Sequence, residues 1–169
     1  MGKVIYLIED KIVDKDDILR LLRDKIPQAL QNEISFDWLP GDEQENNGFQ
    51  FYTNSVLKNI ADKKAEVEVD GGKMGILLDL TLTEDETASL GQSFYPEVHL
   101  AKEIYIRYKD QIPIYIVTSV NSFGAQCDVI MGEDLSDRYV TKSALLRYKM
   151  KNSINDLFNY YKNEFNIEG

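Results

Sequence analysis

Apolar residues in this chain fall into short continuous runs, separated by stretches in which they recur every three or four positions. Lys3–Ile8, Met74–Leu80 and Ile112–Val117 are runs rich in Val, Ile, Leu and Tyr with breakers or charge nearby, the pattern of strands buried on both faces. Ile34–Leu39 (ISFDWL) alternates, with Ile34, Phe36 and Trp38 on one face, and a short fifth strand is expected around Tyr139-Val140. Helical spacing predicts a helix from about Asp14, with Ile18, Leu19, Leu21, Leu22 and Ile26 inward, capped by Asp14 and Asp16-Asp17 and ended by Pro27. A second helix is expected in FQFYTNSVLKNIADKK, with Phe51, Val56 and Ile60 inward. A third is expected from Tyr95 to Lys109, with Val98, Ala101, Ile104, Tyr105 and Tyr108 inward, and a weaker one from Phe123 to Met131. Val67 and Val69 alternate like a short strand before the turn Asp70-Gly71-Gly72.

The last helix is expected to run unbroken from Ser143 to Phe165. Leu146, Met150, Ile154, Leu157, Tyr161 and Phe165 then form one stripe. At 1.5 Å per residue such a helix reaches about 35 Å. Phe158, Tyr160, Tyr161 and Phe165 therefore either overhang the domain as an interaction surface, which leaves a homodimer open, or pack only on the parent domain. Strands alternating with helices imply a parallel sheet covered on both faces.

The ends of the strands carry the chemistry. VIYLI runs into Glu9-Asp10, GILL into Asp79, IYIV into Thr118-Ser119, and RYVT into Lys142. Open α/β sheets bind ligands at the carboxyl ends of their strands, where the strand order reverses, so these groups are expected to converge. Without metal, three neighbouring carboxylates repel one another and resist full ionisation, and Mg²⁺ prefers one or two carboxylates plus substrate oxygens and waters, which such a cluster supplies. Lys142 is a point-charge ligand for phosphate.

Charge narrows the field further. The 29 Asp and Glu outnumber the 19 Lys and Arg, and a net charge of −10 disfavours direct binding to nucleic acid or to anionic membranes. One cysteine, Cys127, makes no internal disulfide framework and fits a reducing cytoplasm, and no apolar stretch is long enough to span a bilayer. His99 is the sole histidine and is expected on a solvated helix face, so histidine-based metal sites and dyads are poor candidates. Gly71-Gly72-Lys73 lacks the spacing of a phosphate-binding loop.

An acidic pair after the first strand, Asp after the third, Thr after the fourth, and aromatic-x-x-Lys at the fifth together resemble a response-regulator receiver domain. The resemblance spans nearly the whole chain. It implies a flavodoxin-like, doubly wound five-stranded parallel sheet of order 2-1-3-4-5, and one receiver domain over residues 1–169 with no output domain. It further implies a phosphorelay protein of two-component signalling, phosphorylated on Asp79 by a histidine kinase or phosphotransfer protein, cytoplasmic, and not itself an enzyme. Glu9, Asp10, Asp79 and the backbone carbonyl of Thr81 would hold Mg²⁺. Thr118 and Lys142 would engage the phosphoryl oxygens, and Tyr139 would change rotamer as Thr118 moves. Signalling would pass to a downstream protein by contact.

The chain departs from the family pattern at Leu80-Thr81-Leu82-Thr83, where a Met-Pro pair is common, and at Ser143, where proline usually follows the lysine. The loop at 81–94, with Glu84, Asp85 and Glu86, is long and acidic. These features mark a divergent member. One alternative is a pseudo-receiver acting as a phosphorylation-independent binding module. A more remote one is a haloacid dehalogenase-like phosphatase, which wants a second Asp where this chain has Thr81.

Overall fold

The computed structural model describes residues 2–39, 53–80, 82, 99–118, 132, 134–135 and 137–168. Five strands, β1 (Lys3–Ile8), β2 (Ile34–Leu39), β3 (Lys73–Asp79), β4 (Ile114–Thr118) and β5 (Tyr139–Thr141), form one parallel sheet of order β2-β1-β3-β4-β5. Helices α1 (Ile12–Lys25), α2 (Thr53–Val69), α3 (His99–Tyr108) and α4 (Lys151–Glu164) cover both faces. This is the covered parallel sheet that the pattern of runs predicts, in the flavodoxin-like, doubly wound order that the resemblance implies.

Two cores follow from the alternation of side chains along the strands. Tyr6, Ile8, Ile76, Leu78 and Ile116 face α2 and α3, against Val56, Ile60, Ala101 and Ile104. Ile5, Leu7, Leu77, Tyr115 and Val117 face the other way, against Ile18 and Leu22 of α1 and Leu157 and Tyr161 of α4. Each fully buried apolar side chain of this size contributes about 1.5–3 kcal/mol. β3 and β4 are buried almost throughout, whereas the edge strand β2 keeps an alternating pattern with Ser35 and Asp37 outward.

Several boundaries differ from the sequence expectation, each for a physical reason. α1 begins at Ile12, two residues before Asp14, and its N-cap Lys11 makes no side-chain cap; Asp14 sits inside the first turn instead. Val67 and Val69 are helical. Both edges of β3 are taken by β1 and β4, so a neighbouring strand would have no partner, and i,i+4 pairing of Lys64 with Glu68 at 2.7 Å favours the helix. α2 ends in a Schellman-type closure: Gly71, at φ 75°, donates to the Glu68 carbonyl and Gly72 to that of Val67.

The C-terminal helix is not continuous. A π-helical turn at Ser143–Arg147 is followed by Lys149 at φ 46°, and α4 starts only at Lys151. The break shifts the phase of the stripe, so that Ala144 and Leu145 are buried while Met150 is half exposed. A non-glycine residue in the left-handed region costs about 1–2 kcal/mol, which burial of Leu145 offsets. With 14 residues, α4 does not overhang the sheet. Phe158, Tyr161 and Phe165 are buried beneath it, and the Tyr160 hydroxyl accepts from the Ile114 N–H and donates to the Ile114 carbonyl, both at 3.1 Å. Of the two readings of these aromatic residues, packing on the parent domain is the one the structure shows.

The loop at 40–48, Phe51, Cys127, the helix expected at 123–131, the His99 side chain, Thr81 and the rest of the 81–94 loop apart from buried Leu82 lie outside the described residues. Among the described residues, no helix is long and apolar enough to cross a membrane.

Candidate functional site

The chain leaves β1 toward β2 on one side and later returns to lay β3 on the other, so the order of the sheet reverses between β1 and β3. Ile8 pairs with Leu78 in register, which puts Glu9 and Asp79 side by side at the carboxyl ends of adjacent strands. One oxygen from each of Glu9, Asp10 and Asp79 lies within 4.8 Å of the others. Glu9 and Asp79 are fully buried and Asp10 half-buried.

Glu9 is tied down at three atoms. Its Oε1 accepts the Lys11 N–H at 3.1 Å, at the entry to α1. Its Oε2 lies 2.8 Å from Lys142 Nζ, and its backbone carbonyl accepts the indole N–H of Trp38 at 2.9 Å. The Trp38 ring in turn lies under the Lys15 ammonium, 4.7 Å from the centroid, while Lys15 pairs with Asp16 at 2.7 Å.

Lys142 follows β5 directly and is buried. Besides Glu9 it reaches Asp14 Oδ2 at 2.8 Å and Asp79 Oδ2 at 3.4 Å. Burial pulls its basicity down, but Asp79, Asp14 and Glu9 outweigh burial and the net shift is up. For Glu9 the balance goes against the charged form: burial and the adjacent Asp79 push it up to about 9, with Lys142 only partly opposing them.

Thr118 is buried at the end of β4. Tyr139 is half-buried at the start of β5 and packs against the core on the α2–α3 face. In register Tyr139 stands opposite Ile116, and Thr141 stands opposite Thr118.

The structure thus brings Glu9, Asp10, Asp79 and Lys142 together, at the place where the strand-end reading expects them. It adds Asp14, which the sequence reading assigned to capping. The signal was present, because Asp14 lies one helical turn beyond Asp10, but a capping role accounts for an aspartate there equally well. The tie from Trp38 to Glu9 was missed too, since alternation along β2 explains Trp38 as core.

The donor set fits a hard divalent cation such as Mg²⁺. It offers carboxylate oxygens only, two of the three residues are sealed from solvent, and one ammonium is shared among more negative groups than it can neutralise.

No family model and no curated protein matches the chain. Among solved structures, a fusion carrying the yeast Spc42 trimeric coiled coil is similar at 17% identity and a TM-score of 0.48, covering 96% of this chain and 85% of that one. The bacteriophytochrome response regulator AtBRR is similar at 18% identity and a TM-score of 0.44, covering 93% of each chain. The strand order and register of the sheet itself establish the fold.

Proposed function

We propose that this chain is a phospho-acceptor signalling domain of a two-component phosphorelay, phosphorylated on Asp79 by a histidine kinase or phosphotransfer protein in the cytoplasm. It signals by protein contact and turns over no substrate of its own. The observation that supports this reading is the convergence of Glu9, Asp10 and Asp79 at the reversal of the sheet, with Lys142 Nζ within reach of Asp79.

In the transfer, an Asp79 carboxylate oxygen attacks phosphorus in line while the bond from phosphorus to the donor imidazole nitrogen breaks. The electron pair leaves with the imidazole, which takes up a proton, and Asp79 becomes an acyl phosphate. Glu9, Asp10 and Asp79, with the Thr81 carbonyl that the resemblance implies, would hold Mg²⁺, which would supply positive charge for the phosphoryl oxygens. The protein's own part is positioning. Lys142 supplies a fixed ammonium, Thr118 a hydroxyl for a phosphoryl oxygen, and Tyr139 a ring that moves as Thr118 is drawn in.

A second reading, a phosphorylation-independent binding module, draws on one feature: Lys142 already engages Glu9, Asp14 and Asp79 and ties β5 to β1, α1 and β3. Intact-mass measurement after acetyl phosphate and Mg²⁺ separates the two. The first reading expects one added phosphate, acid-labile, on wild type and none on Asp79→Asn. Unchanged labelling of the variant would falsify the choice of acceptor, and an unlabelled wild type selects the binding module.

A further inference from the structure

One ammonium stands among three carboxyl groups at the end of β5. Lys142 Nζ lies 2.8 Å from Glu9 Oε2, 2.8 Å from Asp14 Oδ2 and 3.4 Å from Asp79 Oδ2. A lysine has three donors; two are given to Asp14 and Asp79, and the Glu9 oxygen crowds the remaining side of the ammonium. A phosphoryl group arriving on Asp79 brings new acceptor oxygens, and a Lys142 N–H can reach them only if another partner lets go.

The three partners are unequal in what release costs them. Glu9 is sealed from solvent, so no water can replace the ammonium at its Oε2 if Lys142 withdraws. Asp79 is the group being modified. The Asp14 side chain keeps 28% of its surface exposed and sits in the first turn of α1, where water and the unpaired N–H groups of the helix start stabilise a free carboxylate. Asp14 is the partner that can be surrendered.

We propose that Asp14 is a latch: a positioning residue that competes with the phosphoryl group for Lys142 and is released when Asp79 is modified. The latch joins the start of α1 to the end of β5 across 128 residues of sequence. Its opening uncouples the first turn of α1, where Lys15 N–H closes onto the Lys11 carbonyl at 2.9 Å. This inference rests on the phospho-acceptor reading and adds to it a second output, at α1, beside Thr118 and Tyr139.

The test is titration with trifluoroberyllate, a phosphoryl mimic, in the presence of Mg²⁺. Asp14→Asn and Asp14→Ser should each tighten binding by about tenfold, the effect of removing a charge-assisted competitor. The gain should vanish in a Lys142→Met background. An equal gain in that background would mean that Asp14 acts only as a nearby negative charge, and no gain in either would mean that it does not compete; both overturn the latch. Amide exchange at Lys15 supplies a readout that needs no Lys142 variant. It should speed up when wild type binds the mimic and be fast with or without it in Asp14→Asn, whereas exchange indifferent to the mimic in wild type overturns the latch. If wild type binds no mimic, the phospho-acceptor reading falls and the latch falls with it.

Discussion

At the scale of single residues, Glu9 carries the sharpest consequence. Its carboxyl is held up to about 9, against 4.5 in an ordinary setting, by burial and by Asp79. Between those two values the folded chain keeps a proton that the unfolded chain has lost, so folding stability without metal falls as pH rises through the window. In chelator, the Tm should be several degrees lower at about pH 8 than at about pH 5, and Glu9→Gln should flatten that slope. A wild-type slope of the opposite sign would show that Glu9 is ionised in the folded state throughout. Glu9, Asp10, Asp79 and Lys142 were legible because a charged group at the end of an apolar strand run has few places to go. Asp14 was not, because an aspartate near a helix start has a sufficient local explanation, and only the fold reveals that its partner is 128 residues away.

At the scale of elements, continuous apolar runs read β1, β3 and β4, alternation read β2, and helical period read the inward faces of α1, α2 and α3, since burial on one face or on both is what generates each pattern. Hydrophobic period failed at the C-terminus, where a stripe spaced by three and four hides a wide turn: Leu146 and Met150 keep the rhythm while Leu145 takes the core position. It failed at Val67 and Val69 because strand identity depends on a free neighbouring edge, which a local pattern does not encode. α4 now reads as a floor under β3. A Cβ added at Gly75 would lie 3.0 Å from Tyr161 Cε1, 3.0 Å from Phe165 Cζ and 3.3 Å from Ile5 Cγ1. Gly75→Ala should therefore destabilise the protein by about 1–3 kcal/mol, as overpacking does. Urea denaturation checks this, and a neutral result would mean that α4 can slide away from the sheet.

At the scale of the whole molecule, one end of the sheet gathers the carboxyl groups of Glu9, Asp10 and Asp79. A ligand that binds only the native state stabilises it by mass action. Mg²⁺ at millimolar concentration should raise the Tm, and more so above neutral pH, where Glu9 must otherwise give up its proton unaided. Asp10→Ala should abolish most of that response, and an equal rise in wild type and variant would place the metal elsewhere. The indole tied to the Glu9 carbonyl has an optical consequence. Trp38 is the chain's only tryptophan, so the emission of the protein comes from a ring that touches the backbone of the acidic cluster and lies beneath an ammonium. Anything that shifts the end of β1 should change its intensity or colour, which makes the unmodified chain its own fluorescent sensor. Emission that follows Mg²⁺ with the same midpoint as the Tm response would read occupancy directly, and Trp38→Phe would leave the site in place but dark.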